Sequence, residues 1–139
     1  MSKSFNWQDL LKGHPVFSSL AETEIACLLT DEASREKSCI RDDLIVRTGE
    51  PDDSLFLIGS GSVQVTVDGT PVAVLQAGEF FGEIAVLERR PRSASVTARE
   101  QCMLLEIAGE AFRQLLASHP DIDTKLRTTA SMRLSQRQS

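Results

Sequence analysis

Residues 78–96 read Gly78-Glu79-Phe80-Phe81-Gly82-Glu83-Ile84-Ala85-Val86-Leu87-Glu88-Arg89-Arg90-Pro91-Arg92-Ser93-Ala94-Ser95-Val96. Gly82 permits a sharp turn or the close approach of a bound group, and Ile84 to Leu87 form an apolar run sufficient for one helical turn. The first turn of a helix leaves backbone N–H groups without partners, and these suit an anion. Arg89, Arg90 and Arg92 add positive charge just downstream in an otherwise acidic chain. Glu83 is out of place beside an anion unless it has a task of its own, such as accepting hydrogen bonds from ligand hydroxyls. The stretch therefore asks for a ligand with an anionic part and a hydroxylated part. Against this stands the plainer reading of a turn at Gly82 and a solvated charged loop from Glu88 to Arg92.

Outward from this stretch, the chain has 139 residues, 41% of them hydrophobic, which is one domain with an ordinary core. A net charge of −5 argues against direct nucleic-acid binding, which relies on clustered Lys and Arg. The longest uncharged stretch, Ser54 to Val67, contains two glycines and is too short and too alternating for a membrane span. Lys3 is followed by polar and aromatic residues rather than the apolar core of a signal peptide, so a cytoplasmic location is expected. Cys27, Cys39 and Cys102 are odd in number and widely spaced, which predicts buried reduced thiols. His14 and His119 stand far apart, so no metal site is expected.

Periodicity divides the chain into three. Trp7, Leu10 and Leu11 mark a short leading helix ended by Gly13 and His14-Pro15. Ser19 and Glu22 have capping-box spacing before a second helix over Ala21 to Leu29, whose stripe is Ile25, Leu28 and Leu29. From Lys37 the period becomes two. Strands are expected over Lys37–Ile40, Leu44–Thr48, Ser54–Ser60, Ser62–Asp68, Pro71–Gln76, Ala94–Ala98 and Cys102–Ile107, with a hairpin at Asp68-Gly69. Val63, Val65 and Val67 on one face, opposite Gln64 and Thr66, predict an antiparallel sheet with one wet side. Helical spacing returns with Phe112, Leu115 and Leu116, and Pro120 suits the first position of a last helix. Asp121 and Asp123 at its start and Arg133 and Arg137 near its end complement its dipole. Its apolar stripe of Ile122, Leu126 and Ala130 is narrow, which predicts a helix that docks conditionally. The fold class is mainly β: an antiparallel jelly-roll-like β-roll (32–108) between N-terminal helices (1–31) and C-terminal helices (109–139), in one domain.

Phe81-Gly82-Glu83-Ile84-Ala85-Val86-Leu87 followed by Pro91-Arg92-Ser93-Ala94 closely resembles the phosphate-binding cassette of cyclic-nucleotide-binding domains, the family of protein kinase A regulatory subunits and the bacterial catabolite activator. The order of elements resembles that family as well, from about Val16 to Leu134. Gly49-Glu50 and Gly59 to Val63 sit where family members carry roll glycines. Ala21 departs from the serine-like cap common in relatives, which touches helix stability and not the ligand. The resemblance implies that Arg92 meets the exocyclic oxygen of a cyclic phosphate and Glu83 the ribose 2′-hydroxyl. It further implies that the backbone N–H groups of Ile84 and Ala85 meet the phosphate, that Gly82 lets the sugar approach, and that Ser93 adds phosphate contacts. Phe81 and Ala94 complete the expected site. Serine at 93 leaves cAMP and cGMP open.

The implied function is a non-enzymatic sensor, with no cofactor beyond its cAMP or cGMP ligand, that couples binding to movement of its C-terminal helices. Leu126 and Ala130 are the lid candidates, with Leu126 or a neighbour over the purine. An effector domain or partner protein would carry the signal, and the terminal helices are candidates for a homodimer contact. Two other classes compete. A cupin-like enzyme needs a histidine cluster that His14 and His119 do not supply. A degenerate roll used only for protein contacts typically loses its cassette Arg or Glu, and both are present here.

Overall fold

The computed structural model describes residues 3–138, with side chains through residue 135, so the expectation for Arg137 lies outside the described side chains. Two helices, α1 (Trp7–Gly13) and α2 (Glu22–Leu28), lead into strands β1 (Ser34–Cys39), β2 (Leu44–Val46), β3 (Leu55–Ser60), β4 (Ser62–Val67), β5 (Thr70–Gln76) and β6 (Phe80–Phe81). Helix α3 (Glu83–Glu88) interrupts them before β7 (Ser95–Ala98) and β8 (Cys102–Ile107), and α4 (Gly109–Ala117) and α5 (Pro120–Gln138) close the chain. The strands form two four-stranded antiparallel sheets, ordered β1-β8-β3-β6 and β2-β7-β4-β5.

The alternation of side chains along a strand explains why there are two cores. In β3, Leu55 and Leu57 face a core shared with the helices, whereas Phe56 and Ile58 face the interior of the roll. In β8, Leu105 and Ile107 likewise take the helical side while Cys102 and Leu104 take the roll side. Both faces of this sheet are covered, so β3 reads as a continuous apolar run. The other sheet has the single wet side expected: Val63 and Val65 are buried, while Gln64 and Thr66 are half-exposed.

Several boundaries differ from the sequence reading. Strand β1 begins at Ser34 rather than Lys37, because it is an edge strand held by its ladder to β8, from Ser34–Ile107 to Cys39–Cys102, and needs no apolar alternation. The two-residue strand β6 is invisible to periodicity and exists through pairing of Phe80 with Leu57 and Phe81 with Phe56. Ser19 is not the cap of α2. Glu24 Oε1 accepts the Ala21 N–H at 2.9 Å, and the Ser19 hydroxyl donates to Asp121 at 2.7 Å. Cys39 and Cys102 are buried, but Cys27 is exposed on a helix turn that faces solvent.

The last helix departs furthest from expectation. Ile122, Leu126 and Ala130 are 0%, 0% and 3% exposed, and Ile122 and Leu126 join Val86, Phe112 and Leu116 in the helical core. A narrow stripe is enough here because α5 drops into a groove already floored by α3 and α4. Leu126 therefore packs inside the core instead of standing free to cover a ligand.

Candidate functional site

The site begins where β6 runs into α3. Gly82 lies at φ +93°, a left-handed conformation, and a Cβ there would sit 2.6 Å from Ser54 O and 2.8 Å from Arg92 Nη1. Only glycine satisfies both conditions. Helix α3 ends after one and a half turns at Arg89, whose left-handed backbone (φ +51°) lets its N–H donate to Ala85 O at 2.9 Å. The chain then returns through Arg92, whose N–H donates to Glu50 O and whose carbonyl accepts from Gly49 N–H, both at 2.9 Å. The Gly49-Glu50 turn thus serves as the backbone anchor of Arg92.

The Arg92 side chain is folded into the protein, with the residue only 5% exposed. Its Nη2 donates to Asp52 Oδ2 at 2.7 Å and to Ser54 O at 2.9 Å, and its guanidinium lies 5.6 Å from the centre of the Phe56 ring. Phe56 in turn stacks on Phe81, with ring centres 4.9 Å apart. Among the described residues Arg92 Nε, like Arg113 Nε, is buried without a hydrogen-bond partner, and Arg92 is the one of the two that lines the cassette space. Partial burial opposes ionisation of Asp52, but the hydrogen bond and charge of Arg92 outweigh it and hold that carboxyl below its usual value.

Glu83, Ile84 and Ala85, the first residues of α3, are 1%, 3% and 2% exposed. The Glu83 carboxylate is paired with Arg133 of α5, Nη1 to Oε1 2.5 Å, and the Arg133 guanidinium lies 5.1 Å from the Phe80 ring centre. A cavity of about 20 Å³ is lined by Phe81, Gly82, Glu83, Ile84, Ala85, Arg92, Ser93 and Ala94 together with Val46 and Val96. All eight residues singled out in the cassette by sequence thus come together around one space. That space is a narrow cleft, partly open to solvent, with room deep inside for about one water. A second cavity, of about 260 Å³, lies between β4–β5 and α5 and is lined by Val65, Val72, Ala73, Leu75, Glu79, Thr129, Met132 and Arg133. Arg133 lines this cavity and grips Glu83 in the other. A larger groove of about 600 Å³ between α2 and α4 contains none of the cassette residues.

Two residues that hold the cassette charges, Asp52 and Arg133, escaped the sequence reading of the site. Asp52 carries no local signal, since it reaches Arg92 only through the folded roll. Arg133 did carry one, because it continues the stripe of Ile122, Leu126 and Ala130 at helical spacing and so had to lie on the buried face. Of the lid candidates, neither Leu126 nor Ala130 lines a cassette cavity, and Thr129, Met132 and Arg133 occupy the corresponding places one turn further on.

The model of the cyclic nucleotide-binding domain family matches residues 36–119. A cyclic nucleotide-gated potassium channel of Mesorhizobium japonicum is 36% identical over 126 residues, covering 90% of this chain and 34% of the channel. A cAMP-dependent protein kinase regulatory subunit of Debaryomyces hansenii is 35% identical over 127 residues, covering 88% of this chain and 28% of the subunit. This chain spans about a third of the length of these curated relatives. Among solved structures, the regulatory domain of Toxoplasma gondii protein kinase A with cAMP superposes with TM-score 0.79 at 26% identity, covering 91% of this chain and 49% of that one. The sensor domain of the transcriptional regulator DNR from Pseudomonas aeruginosa shares the fold at TM-score 0.79 and 23% identity, covering 94% of both chains. Cassette, roll and comparisons agree, and the chain belongs to the cyclic nucleotide-binding domain family.

Proposed function

We propose that this chain is a non-catalytic sensor that binds a cyclic nucleotide in the cassette and passes occupancy on through α5. The observation that carries this reading is Arg92, a buried guanidinium with an unpartnered Nε beside Gly82 and the first turn of α3. A cyclic phosphate would complete its hydrogen bonding, assisted by the backbone N–H groups of Ile84 and Ala85. Glu83 would accept the ribose 2′-hydroxyl, and to do so it must release Arg133. The purine would then lie in the apolar cavity between β4–β5 and α5, against Val65, Leu75, Thr129 and Met132. Binding would thus act on α5 at the place where α5 touches the cassette, which is the differential contact that a signal requires.

Calorimetric titration with cAMP, cGMP and linear 5′-AMP tests the reading. A cyclic nucleotide should bind and 5′-AMP should bind far more weakly. Arg92→Ala should weaken binding by about 2–5 kcal/mol, while Arg89→Ala and Arg90→Ala leave it nearly unchanged. The 20 Å³ cassette cavity is the one observation that favours a roll used only for protein contacts. Absence of heat with either cyclic nucleotide would decide for that reading.

A further inference from the structure

Cys39 and Cys102 are direct partners in the antiparallel ladder of β1 and β8. Residues opposite one another in such a ladder point to the same face, and both thiols lie in the roll core at 3% and 2% exposure. The Cα separation of opposed residues is about 4.5 or 5.5 Å depending on the hydrogen-bonding type of the pair, and both values fall within the range that a disulfide bridges. The two cysteines are free, and the single Cys102 S–H is shared between Ser62 O at 3.2 Å and Glu100 O at 3.1 Å.

We propose that Cys39 and Cys102 form an oxidisable dithiol that a peroxide converts to a cross-strand disulfide within the folded domain. One thiol ionises, and its thiolate sulfur takes an HO group from hydrogen peroxide as the O–O bond breaks, giving a sulfenic acid; the departing hydroxide takes up the proton the thiol released and leaves as water. The second sulfur then attacks that sulfur. The S–S bond forms as the S–O bond breaks, and the departing hydroxide takes the remaining thiol proton as a second water. Two thiols and one peroxide thus become one disulfide and two waters. The pair sits at the end of the ladder, Cys39 being the last residue of β1 and Cys102 the first of β8, so fraying of that end gives the oxidant its access. Burial pushes both thiols up, which makes the reaction slower at neutral pH than at the exposed Cys27 and faster as pH rises. Once formed, the bond closes a loop from β2 to β7 that includes the whole cassette and restricts the unfolded chain.

Hydrogen peroxide treatment of the folded Cys27→Ser protein, followed by alkylation in denaturant and mass spectrometry, tests this. A loss of two hydrogens is expected, with the fragments containing Cys39 and Cys102 joined, and the melting temperature should rise by roughly 10 °C. Cys39→Ser in the same background should show no such rise. Persistence of two alkylatable thiols after prolonged exposure to excess peroxide at alkaline pH, where both thiols ionise and the protein is still folded, would overturn the proposal. So would stepwise oxygen addition to one of the two sulfurs without linkage. Neither readout requires a nucleotide.

Discussion

Arg92 and Glu83 present opposite charges to one cavity, and each is held by a partner elsewhere in the chain. Asp52 keeps Arg92 aimed, and Arg133 keeps Glu83 neutralised. Removing one member of a buried pair leaves the other charge without compensation, so Arg133→Ala should lower stability by roughly 3 kcal/mol. If Glu83 takes the ribose as proposed, the same change frees its carboxylate, so cyclic nucleotide affinity should rise. Paired thermal melts and calorimetry check both halves, and a fall in affinity would mean that Arg133 binds the nucleotide instead of competing with it. Glu83→Ala should abolish discrimination between cAMP and its 2′-deoxy analogue, measured by competition, because a methyl group cannot accept the 2′-hydroxyl.

At the scale of elements, adjacent aspartates join the cassette to the closing helices. Asp52 binds Arg92, while Asp53 binds Arg113 of α4 at 2.8 Å, and Arg113 also reaches Val86 O of α3 at 3.4 Å. Gly109 is required at the start of α4 because a Cβ there would lie 2.6 Å from the Asp53 backbone O. Helix α5 divides into a packed half and a gripping half. Ile122 and Leu126 belong to the core, and Leu126→Ala should cost about 2–5 kcal/mol in chemical denaturation. Thr129, Met132 and Arg133 instead face the second cavity. A chain ended after Ser131 keeps the packed half, so it should remain folded and lose about as much stability as Arg133→Ala. On the proposed binding mode it should also bind cAMP and cGMP more nearly alike, since Met132 and Arg133 no longer line the second cavity. Unchanged discrimination in that protein would remove α5 from the purine site.

For the molecule as a whole, attachment of the N-terminal helices depends on pH. The Glu36 carboxylate on β1 accepts from the Ser4 and Phe5 N–H groups, the Ser4 hydroxyl and Trp7 Nε1, the last at 2.7 Å. Burial opposes its ionisation, but these donors outweigh it and bring its pKa to about 2. The folded value is below the unfolded one of 4.5, so the stabilisation is fully present above about pH 4.5 and is lost as pH falls towards 2. Buried His14 acts in the same direction at higher pH. Its Nδ1 accepts the Val16 N–H and its Nε2–H donates to Gly78 O, while burial lowers its pKa, so charging it below about pH 6.5 favours unfolding. Glu36→Gln should flatten the dependence of stability on pH between 4.5 and 2, and His14 should account for a slope beginning nearer 6.5. Denaturant midpoints measured across pH separate the two.

The roll, the cassette and the order of helices were legible in the chain because their causes are local. A period-two pattern in Ser62 to Val67, a turn at Asp68-Gly69 and a fixed run from Phe81 to Ala94 each act within a few residues. What the tertiary structure decided are pairings between distant residues. Strand β1 has no apolar alternation and owes its start at Ser34 to hydrogen bonds with β8. Asp52 reaches Arg92 across the roll, and Leu126 is a core residue because α3 and α4 leave a groove of its width. Arg133 shows the boundary between the two kinds of information. Helical spacing determined that it faces inward, but that its partner is Glu83 followed only from the angle at which α5 crosses the cassette, since a buried charge takes whichever opposite charge the fold brings within reach.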